Sequence, residues 1–281
     1  TEIQKDKKKT DTTIDDQATT REINYLAEAY TKTRNKRYLA ATEKGVDYLL
    51  KAQYPSGGWG QFFPDTSSYR KHITFNDNAM VSVLEVMQEV AGRKGGFAAL
   101  RPDQAQSAQN AIDQAVKCIL KCQYVQHGTL TVWCAQHDRT TFLPAKARAF
   151  ELPSLSGSES VGVVRFLMSI ENPGPEIKRA VNAAVAWFEK VKIPDMDTRL
   201  VRDENGKAID RILFPSPGKV IWARFYNLET NRPFFTGRDS QPKDDLKDVE
   251  VERRVGYSFY GDYASKLLNK EYPKWKQKWD I

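Results

Sequence analysis

The sequence predicts an all-α fold, an (α/α) toroid of helical hairpins whose long loops carry short strands. Apolar residues recur at three- and four-residue spacing as far as Val191, which is the pattern of amphipathic helices. One helical segment is repeated further along the chain, and strand-like alternation is short, as at residues 129–133. Helical hairpins that repeat along a chain stack on one another, and closing several into a ring gathers their loops on one face.

The helices are predicted individually from their apolar spacing and their start signals. Amphipathic runs lie around Ile23 and Val46 and at residues 78–89, 105–123, 159–170 and 176–191. Expected helix starts are Thr42 before Glu43, Ser158 before Glu159, and Pro175 in a first turn.

Beyond Lys192 the pattern changes. Residues 195–231 are rich in charge, proline and glycine, and residues 232–263 are similar, so both are predicted to be long functional loops. A short helix at residues 263–269 is expected to lead into an aromatic tail. Because no clear linker is present, residues 1–281 are expected to form a single catalytic domain.

The repeat relates residues 46–54 to residues 116–124. Valine, leucine, lysine, glutamine and tyrosine are identical at five of the nine positions. Each copy is followed by a turn and a tryptophan, Trp59 in the first and Trp133 in the second. One unit is therefore predicted to be a helical hairpin with a long connecting loop.

Composition excludes several classes of protein. The 281 residues are 40% hydrophobic and 28% charged, which excludes a disordered, collagen-like or coiled-coil chain. No run approaches the ~20 apolar residues of a membrane helix, and three cysteines do not make a disulfide scaffold. The net charge of +7 suits a polyanionic partner, without choosing between nucleic acid and acidic polysaccharide.

Two candidate sites have simpler explanations. Cys118, Cys122, Cys134 and His137 resemble zinc ligands, but the repeat places Cys118 and Cys122 at helix core positions, which favours buried thiols. The serines at residues 156–160 lack the spacing of a hydrolase nucleophile. Capping of a helix by Ser158 explains them more simply.

Asp15, Asp16 and Asp77 form oxygen-rich spots beside helix starts. Aspartate is a preferred N-cap residue, and on spacing alone capping is favoured over calcium ligation. A third segment, Lys146-Ala-Arg-Ala-Phe-Glu151, alternates cations and ends in a carboxylate. By itself it has the pattern of a salt-bridged surface segment.

Taken together, these segments resemble the family 10 polysaccharide lyases, pectate lyases with an α/α toroid fold. The matching runs occur in family order at residues 13–15, 53–55, 61–64, 74–78, 130–137, 146–151, 155–162, 222–226, 231–235 and 252–257. The central block, from Leu130 to Gly162, is the most specific part of the resemblance.

The resemblance implies calcium-dependent β-elimination of polygalacturonate with an arginine as the Brønsted base. Position by position, the base falls on Arg148 and the calcium ligands on Asp15 and Asp77. The implied substrate-binding residues are Arg224, Lys146, Lys219 and Asp16. Asp16 stands where relatives have asparagine, so this chain carries an additional negative charge there.

The residue types suit this chemistry. Calcium bound to the substrate carboxylate acidifies the proton on C5, and cations neutralise the charge that develops on that carboxylate. A guanidinium is normally protonated far above neutral pH, so the base needs neighbouring positive charge to disfavour its charged form. This requirement favours activity at alkaline pH.

The resemblance also implies a secreted protein, a monomer that acts on polygalacturonate, with no nucleic acid or membrane as partner. A further N-terminal helical segment of the family is expected to be missing from this sequence. Two alternatives stay open. One is a toroidal glycoside hydrolase in which Asp15 and Asp77 are the paired catalytic carboxylates, and the other is a relative that binds pectate without cleaving it.

Overall fold

The computed structural model describes residues 12–280. Within that range the α-helices are α1 Ala18–Thr33, α2 Lys36–Ala52, α3 Ala79–Ala91, α4 Pro102–Cys122, α5 Glu159–Ser169, α6 Pro175–Val191, α7 Val251–Gly256 and α8 Tyr272–Trp279. The strands are β1 Thr12–Thr13, β2 Phe62–Phe63, β3 Ile73–Thr74, β4 Val125–Gln126, β5 Thr129–Leu130, β6 Gln136–His137, β7 Leu155–Ser156, β8 Ile193–Arg202, β9 Ala208–Ala223, β10 Phe225–Tyr226, β11 Phe235–Thr236, β12 Pro242–Lys243 and β13 Tyr260–Gly261. Helices predominate, and most strands are two residues long, as predicted.

The described residues divide into two compact units. The first contains residues 12–121 and 137–142. The second contains residues 122–136 and 143–280. In the first unit α1 packs against α2 as a helical hairpin, and in the second α5 packs against α6. None of the helices in the described range has both the length and the apolar character that a membrane crossing needs.

The repeat found in the sequence is present in the structure as a repeated set of hydrogen bonds. In the first unit the Gln53 Nε2 donates to the carbonyl oxygens of Gly57 and Ala111, both at 2.9 Å. In the second unit the Gln123 Nε2 donates to the carbonyls of Thr131 and Ala180, also at 2.9 Å. Each glutamine thus links the loop that follows its helix to the helix of the next hairpin.

A buried tryptophan links the segment after α2, and another the segment after α6, to the preceding helix. The Trp59 Nε1 donates to the carbonyl of Leu49 in α2, and the Trp222 Nε1 donates to the carbonyl of Phe188 in α6. Both acceptors lie in the last turn of their helix, where carbonyl groups have no partner within the helix. The bond of Trp222 thus resembles that of Trp59, although the sequence comparison detected no repeat there.

Two predicted helix boundaries are wrong. The helix α2 begins earlier than Thr42, at an N-cap formed by Asn35, whose side chain accepts from the Arg37 backbone N–H at 3.0 Å. Thr42 is buried inside this helix, and its hydroxyl donates to the carbonyl of Tyr38. At the C-terminus a π-helical turn, Leu267–Glu271, continues into α8, so the predicted aromatic tail is helical. Pro175 at the first turn of α6 is confirmed.

The prediction of a loop over residues 195–231 is also wrong in part. The strands β8 and β9 form a long antiparallel hairpin in which Thr198 pairs with Leu213. Its turn contains Asn205-Gly206, with Gly206 at φ 78°, and the Asp203 side chain accepts from the backbone N–H of Asn205. Asn-Gly is a strong hairpin signal, but the charged and proline-rich flanks obscure the alternation of the strands.

Candidate active site

An acidic cluster, formed by Asp15, Asp16 and Asp77, lies at the starts of α1 and α3 in the first unit. One carboxylate oxygen from each residue lies within 4.8 Å of the others. The short 3-10 turns that carry them, Asp15–Gln17 and Asn76–Asn78, contact each other. Among the described residues this is the group of three or more ligand-type side chains that could hold a metal ion.

The strand pairing next to Asp15 fixes its position. The strand β1 pairs with β2, and the Thr13 hydroxyl donates to the carbonyl of Gln61 at 2.8 Å. The Ile14 backbone N–H donates to the same carbonyl, and the Asp15 backbone N–H donates to the Thr13 Oγ1 at 3.0 Å. The residues before the cluster are therefore anchored to a neighbouring loop.

The N-cap interpretation of these aspartates is wrong. The residue at the N-cap of α1 is Gln17 and that of α3 is Asn78, and neither makes a capping hydrogen bond through its side chain. Asp15 and Asp77 lie further upstream, inside the two 3-10 turns. Neither aspartate therefore occupies the N-cap position of its helix.

The residues fit a divalent cation that prefers oxygen ligands. The pKa of Asp15 is raised, first by burial and then by the neighbouring charges of Asp16 and Asp77, against a lowering effect of Gln61. The Asp15 Oδ1 is buried without a hydrogen-bond partner. A cation at this point would satisfy the orphaned oxygen and offset the repulsion between the carboxylates.

In the second unit a tight turn carries Arg148. The Ala147 N–H donates to the carbonyl of Glu151, and the Glu151 N–H donates to the carbonyl of Arg148. The turn brings the two side chains together, so the Arg148 Nε donates to the Glu151 Oε2 at 2.8 Å and its Nη2 donates to the Oε1. The Arg148 side chain remains 52% exposed and that of Glu151 only 12%.

Around this turn lies an arginine cluster, which we define as Arg148, Arg224, Arg238 and Arg253 with the rings of Phe150 and Tyr257. Three guanidinium groups surround the Phe150 ring, with their central carbons 5.2, 5.0 and 4.5 Å from its centroid for Arg148, Arg238 and Arg253. The Tyr257 ring lies between Arg253 at 4.5 Å and Arg224 at 4.8 Å. Arginines and aromatic rings thus alternate through the cluster.

A buried network holds Arg224. Its Nε donates to the Glu159 Oε1 at 3.0 Å, and the side chains of Arg224 and Glu159 are only 10% and 1% exposed. The Ser156 hydroxyl donates to the other carboxylate oxygen of Glu159. Gly157 permits this approach, because a Cβ there would meet the carbonyl oxygen of Ala223 at 2.1 Å.

The predicted capping of α5 by Ser158 is wrong. The Ser158 side chain makes no capping hydrogen bond. Instead the Ser156 Oγ accepts from the backbone N–H of Ser158 at 3.2 Å and from that of Glu159 at 2.9 Å. The serine motif therefore orients the carboxylate that binds Arg224.

A family model described as pectic acid lyase matches residues 1–268, almost the whole chain. The chain belongs to the pectic acid lyase family. Among solved structures, the family 10 polysaccharide lyase from Cellvibrio cellulosa is 38% identical with a TM-score of 0.87, covering 96% of this chain and 81% of that one. A mutant of that enzyme in complex with trigalacturonic acid is 37% identical with a TM-score of 0.87, covering 96% and 82%. No curated protein sequence shows significant similarity to the chain.

These comparisons confirm the predicted resemblance and the fold class, because the family 10 polysaccharide lyases are α/α toroids. They also establish that this pectic acid lyase family member is an enzyme, a polysaccharide lyase. The predicted site residues lie in both units: Asp15, Asp16 and Asp77 in the first, and Arg148, Arg224, Lys146 and Lys219 in the second.

The structure brings together some of these residues. Asp16, predicted to bind substrate, lies with Asp15 and Asp77 in the acidic cluster of the lyase. Arg148 and Arg224 belong to the arginine cluster through Phe150 and Tyr257.

Lys146 and Lys219 are exposed on the surface of the second unit. Lys219 lies in β9 beside a break in the pairing of β8 with β9 between Pro194 and Met196. There the Gly218 N–H donates to the Asp195 Oδ1 at 2.8 Å. The two lysines stay predictions as substrate ligands.

Sequence reasoning missed Arg238, the role of Glu159, and the burial of Arg253. Arg253 is only 6% exposed. Its sequence signal, the pair Arg253-Arg254 beside Tyr257, indicated only a basic patch. Glu159 lies in the matching run at residues 155–162, but its pairing with Arg224 carries no local signal, because the two residues are 65 positions apart. Arg238 lies outside the matching runs.

Cys118, Cys122 and Cys134 are buried and are not joined in disulfides, as the repeat predicted for the burial of the first two. Burial raises the pKa of the Cys134 thiol well above its usual range. The His137 Nδ1 lies 2.8 Å from the carbonyl oxygen of Phe142, within the first unit. A zinc site is not supported for these four residues.

Proposed function

We propose that this polysaccharide lyase cleaves polygalacturonate by calcium-assisted β-elimination, with Arg148 as the Brønsted base and 4,5-unsaturated oligogalacturonides as products. The observation that carries the proposal is the half-exposed guanidinium of Arg148 among other cations, Arg238 and Arg253, around the Phe150 ring. Membership of the pectic acid lyase family and the trigalacturonic acid complex of the Cellvibrio relative support the substrate class.

Arg148 abstracts the proton on C5 of a galacturonate unit, and the electron pair of the C5–H bond forms the C4–C5 double bond. The bond from C4 to the glycosidic oxygen breaks, and this leaving oxygen takes up a proton from water or from the protonated base. Positive charge nearby disfavours the protonated guanidinium, and Arg238 and Arg253 supply it. Glu151 acts in the opposite direction, because its carboxylate pairs with the charged form of Arg148. The balance of these charges sets the pH range in which Arg148 is a base, and this range is alkaline.

Asp15 and Asp77 would hold calcium, with the Asp15 Oδ1 as a ligand that has no competing hydrogen bond. When bound, calcium withdraws electrons from the uronate carboxylate and acidifies the neighbouring C5 proton. Asp16 carries a negative charge, so its contribution to binding a uronate requires the cation or a substrate hydroxyl as partner.

Arg224, Lys146 and Lys219 would bind the substrate as cations. Arg224 is held by Glu159 and stacked against Tyr257, so little rotamer freedom is lost when it binds an anion. Lys146 and Lys219 are exposed, and they would add long-range attraction for a polyanion. The chain would act as one catalytic domain and as a monomer. The protein would be secreted, because pectate lies outside the cell.

Substitution of the proposed base tests the function. Arg148→Lys and Arg148→Ala should lower kcat for polygalacturonate by roughly 10²–10⁴-fold, with little change in the Kd for trigalacturonate, because the base acts in the transition state. Turnover is measured by the ultraviolet absorbance of the unsaturated product, and Arg199→Ala, on the exposed face of β8, is the matched control.

Three outcomes would contradict the proposal. Near-normal turnover in both Arg148 variants would remove the proposed base. Reducing ends without an unsaturated product from the wild-type protein would indicate hydrolysis, with Asp15 and Asp77 as catalytic carboxylates. Binding of trigalacturonate without any cleavage would indicate a non-catalytic pectate-binding protein.

A further inference from the structure

Arg253 is the most buried arginine of the arginine cluster, ahead of Arg224. It projects from α7, and the whole residue is 6% exposed. Its guanidinium lies 4.5 Å from the centroid of Phe150, 4.5 Å from that of Tyr257 and 5.6 Å from that of Phe259. Aromatic faces therefore replace water around this cation.

The charge of Arg253 has no direct carboxylate partner among the described ion pairs. Arg148 pairs with Glu151, and Arg224 pairs with Glu159. Arg238 likewise pairs with Glu252. The Nε of Arg253, by contrast, is buried with no hydrogen-bond partner. A buried charge that is not paired with a carboxylate costs free energy, and arrangements of this kind cluster at functional sites.

The neighbours of Arg253 include the proposed base. The pKa of Arg253 is lowered, first by burial and further by the charges of Arg238 and Arg148, while Tyr257 and Glu151 act in the opposite direction. Repulsion between two cations is mutual, so Arg253 destabilises the protonated form of Arg148 as well. Charged side chains in the described part of the chain that face Arg148 include Glu151 of its own turn, Arg238 of the loop after β11, and Arg253 of α7.

We propose that Arg253 is a positioning residue that makes Arg148 a base, by placing an unpaired positive charge behind the Phe150 ring and clamping that ring beside Arg148. This inference rests on the proposed function, in which Arg148 removes the C5 proton. Arg253 itself has little exposed surface with which to bind substrate, so its effect passes through Arg148.

The expected size of the effect follows from the geometry. Arg148 and Arg253 each lie about 5 Å from the same ring centroid, so their charges are at most about 10 Å apart. At that separation and an effective dielectric constant of about 20, two unit charges change a protonation equilibrium by roughly one pH unit. At pH values below the pKa of Arg148, where only a small fraction of the base is unprotonated, this corresponds to roughly a tenfold change in the rate of cleavage.

The test is the pH profile of kcat/KM for polygalacturonate. The rising limb of this profile reports the loss of the proton from Arg148 in the free enzyme. Neutral variants, Arg253→Met and Arg253→Gln, should move this limb to higher pH by about one unit, while Arg253→Lys, which keeps the charge, should leave it close to the wild-type position. Arg199→Met is the control, because Arg199 also lies over an aromatic ring, that of Phe214, and its loss should not move the limb.

Each result has one interpretation. An unmoved limb in a folded neutral variant, checked by circular dichroism, would overturn the proposal, and so would an equal shift in Arg199→Met. If both neutral variants fail to fold, Arg253→Lys decides. A rising limb displaced by about one pH unit in this variant would contradict a role through charge, and an unmoved limb would support that role. Full activity of Arg148→Ala, in contrast, would refute the proposed function rather than this inference alone.

Discussion

Asp16 and Asp77 share one backbone conformation, although they belong to different helical hairpins. Asp16 has φ 46° and ψ 30°, and Asp77 has φ 48° and ψ 31°. Each is followed by a second left-handed residue, Gln17 or Asn78, and then by a helix. Such a conformation is uncommon for residues other than glycine, although aspartate and asparagine tolerate it better than most, and it is found repeatedly at functional sites. Here it brings the two carboxylates and that of Asp15 to one point.

The acidic cluster predicts a direct link between calcium and stability. Asp16→Asn and Asp77→Asn should each raise the calcium Kd by roughly tenfold or more, since ligand charge sets the affinity of such sites. Asparagine tolerates the left-handed region, so the backbone should persist. Calorimetric titration with calcium measures the Kd, and a chelator should abolish lyase activity in the wild type.

Thermal unfolding adds a readout that is independent of activity. Each asparagine variant should unfold at a higher temperature than the wild type in a chelator, because carboxylate repulsion is relieved, and should gain less on calcium addition. Asp113→Asn, on the exposed face of α4, is the control. Equal calcium stabilisation of all four proteins would exclude a metal role for the acidic cluster.

Removing the charge of Glu151 should shift the pH profile of kcat/KM in the direction opposite to removing the charge of Arg253. The Glu151 carboxylate stabilises the protonated guanidinium of Arg148, so Glu151→Gln should move the rising limb of kcat/KM to lower pH by about one unit. Glutamine retains an oxygen that can accept from the Arg148 backbone N–H, as Glu151 does at 3.0 Å. Glu189→Gln, which breaks an exposed pair with Lys192, should leave the limb in place. A limb displaced to higher pH in Glu151→Gln would show that the pair assists the base instead.

The buried pair of Glu159 and Arg224 predicts a large loss of stability. Glu159→Gln leaves the buried guanidinium uncompensated, and we expect a loss of about 3 kcal/mol in the free energy of unfolding. Ser156→Ala should cost about 1 kcal/mol, because two backbone N–H groups lose their acceptor. Urea denaturation measures both. Glu171→Gln, which breaks an exposed pair with Lys278, should cost less than about 1 kcal/mol, and a similar cost for Glu159→Gln would argue against the buried network.

The ion pair between Asp210 of β9 and Arg254 should make the stability of the protein depend on pH. The pKa of Asp210 is lowered chiefly by hydrogen bonds from Arg254, whose Nε and Nη2 donate to the carboxylate at 2.7 and 2.9 Å. A carboxyl whose pKa is lower in the folded state stabilises the protein above its ordinary pKa, and this contribution is lost as the pH falls through the folded value. The contribution of this pair to stability is roughly 1 kcal/mol.

Asp210→Asn should therefore be less stable than the wild type at neutral pH, and the difference should vanish as the pH falls through the lowered pKa of Asp210. Urea denaturation at several pH values measures this difference, with Asp262→Asn, which is exposed, as the control. A difference that persists unchanged in acid would mean that hydrogen bonding, rather than charge, accounts for the effect of Asp210.

The sequence by itself determined the helices, the repeat and the family. Apolar spacing reflects contacts between residues three or four apart, so α3 to α6 could be located to within about three residues. The repeated Gln-Tyr pairs, at Gln53 and Gln123, mark hydrogen bonds that recur in each hairpin. The specific runs around Arg148 supplied the resemblance that the family model confirms.

Only the tertiary structure decided how the candidate site is built. The meeting of Asp15 and Asp16 with Asp77, the stacking of Arg253 on Phe150, and the binding of Arg224 by Glu159 join residues that lie far apart in the chain. Sequence spacing carries no signal for such contacts, because each depends on the packing of several elements at once. The long hairpin of β8 and β9 was missed for a related reason. Its two strands stabilise each other through the hydrogen bonds between them, while the sequence of each strand alone has the composition of a polar loop.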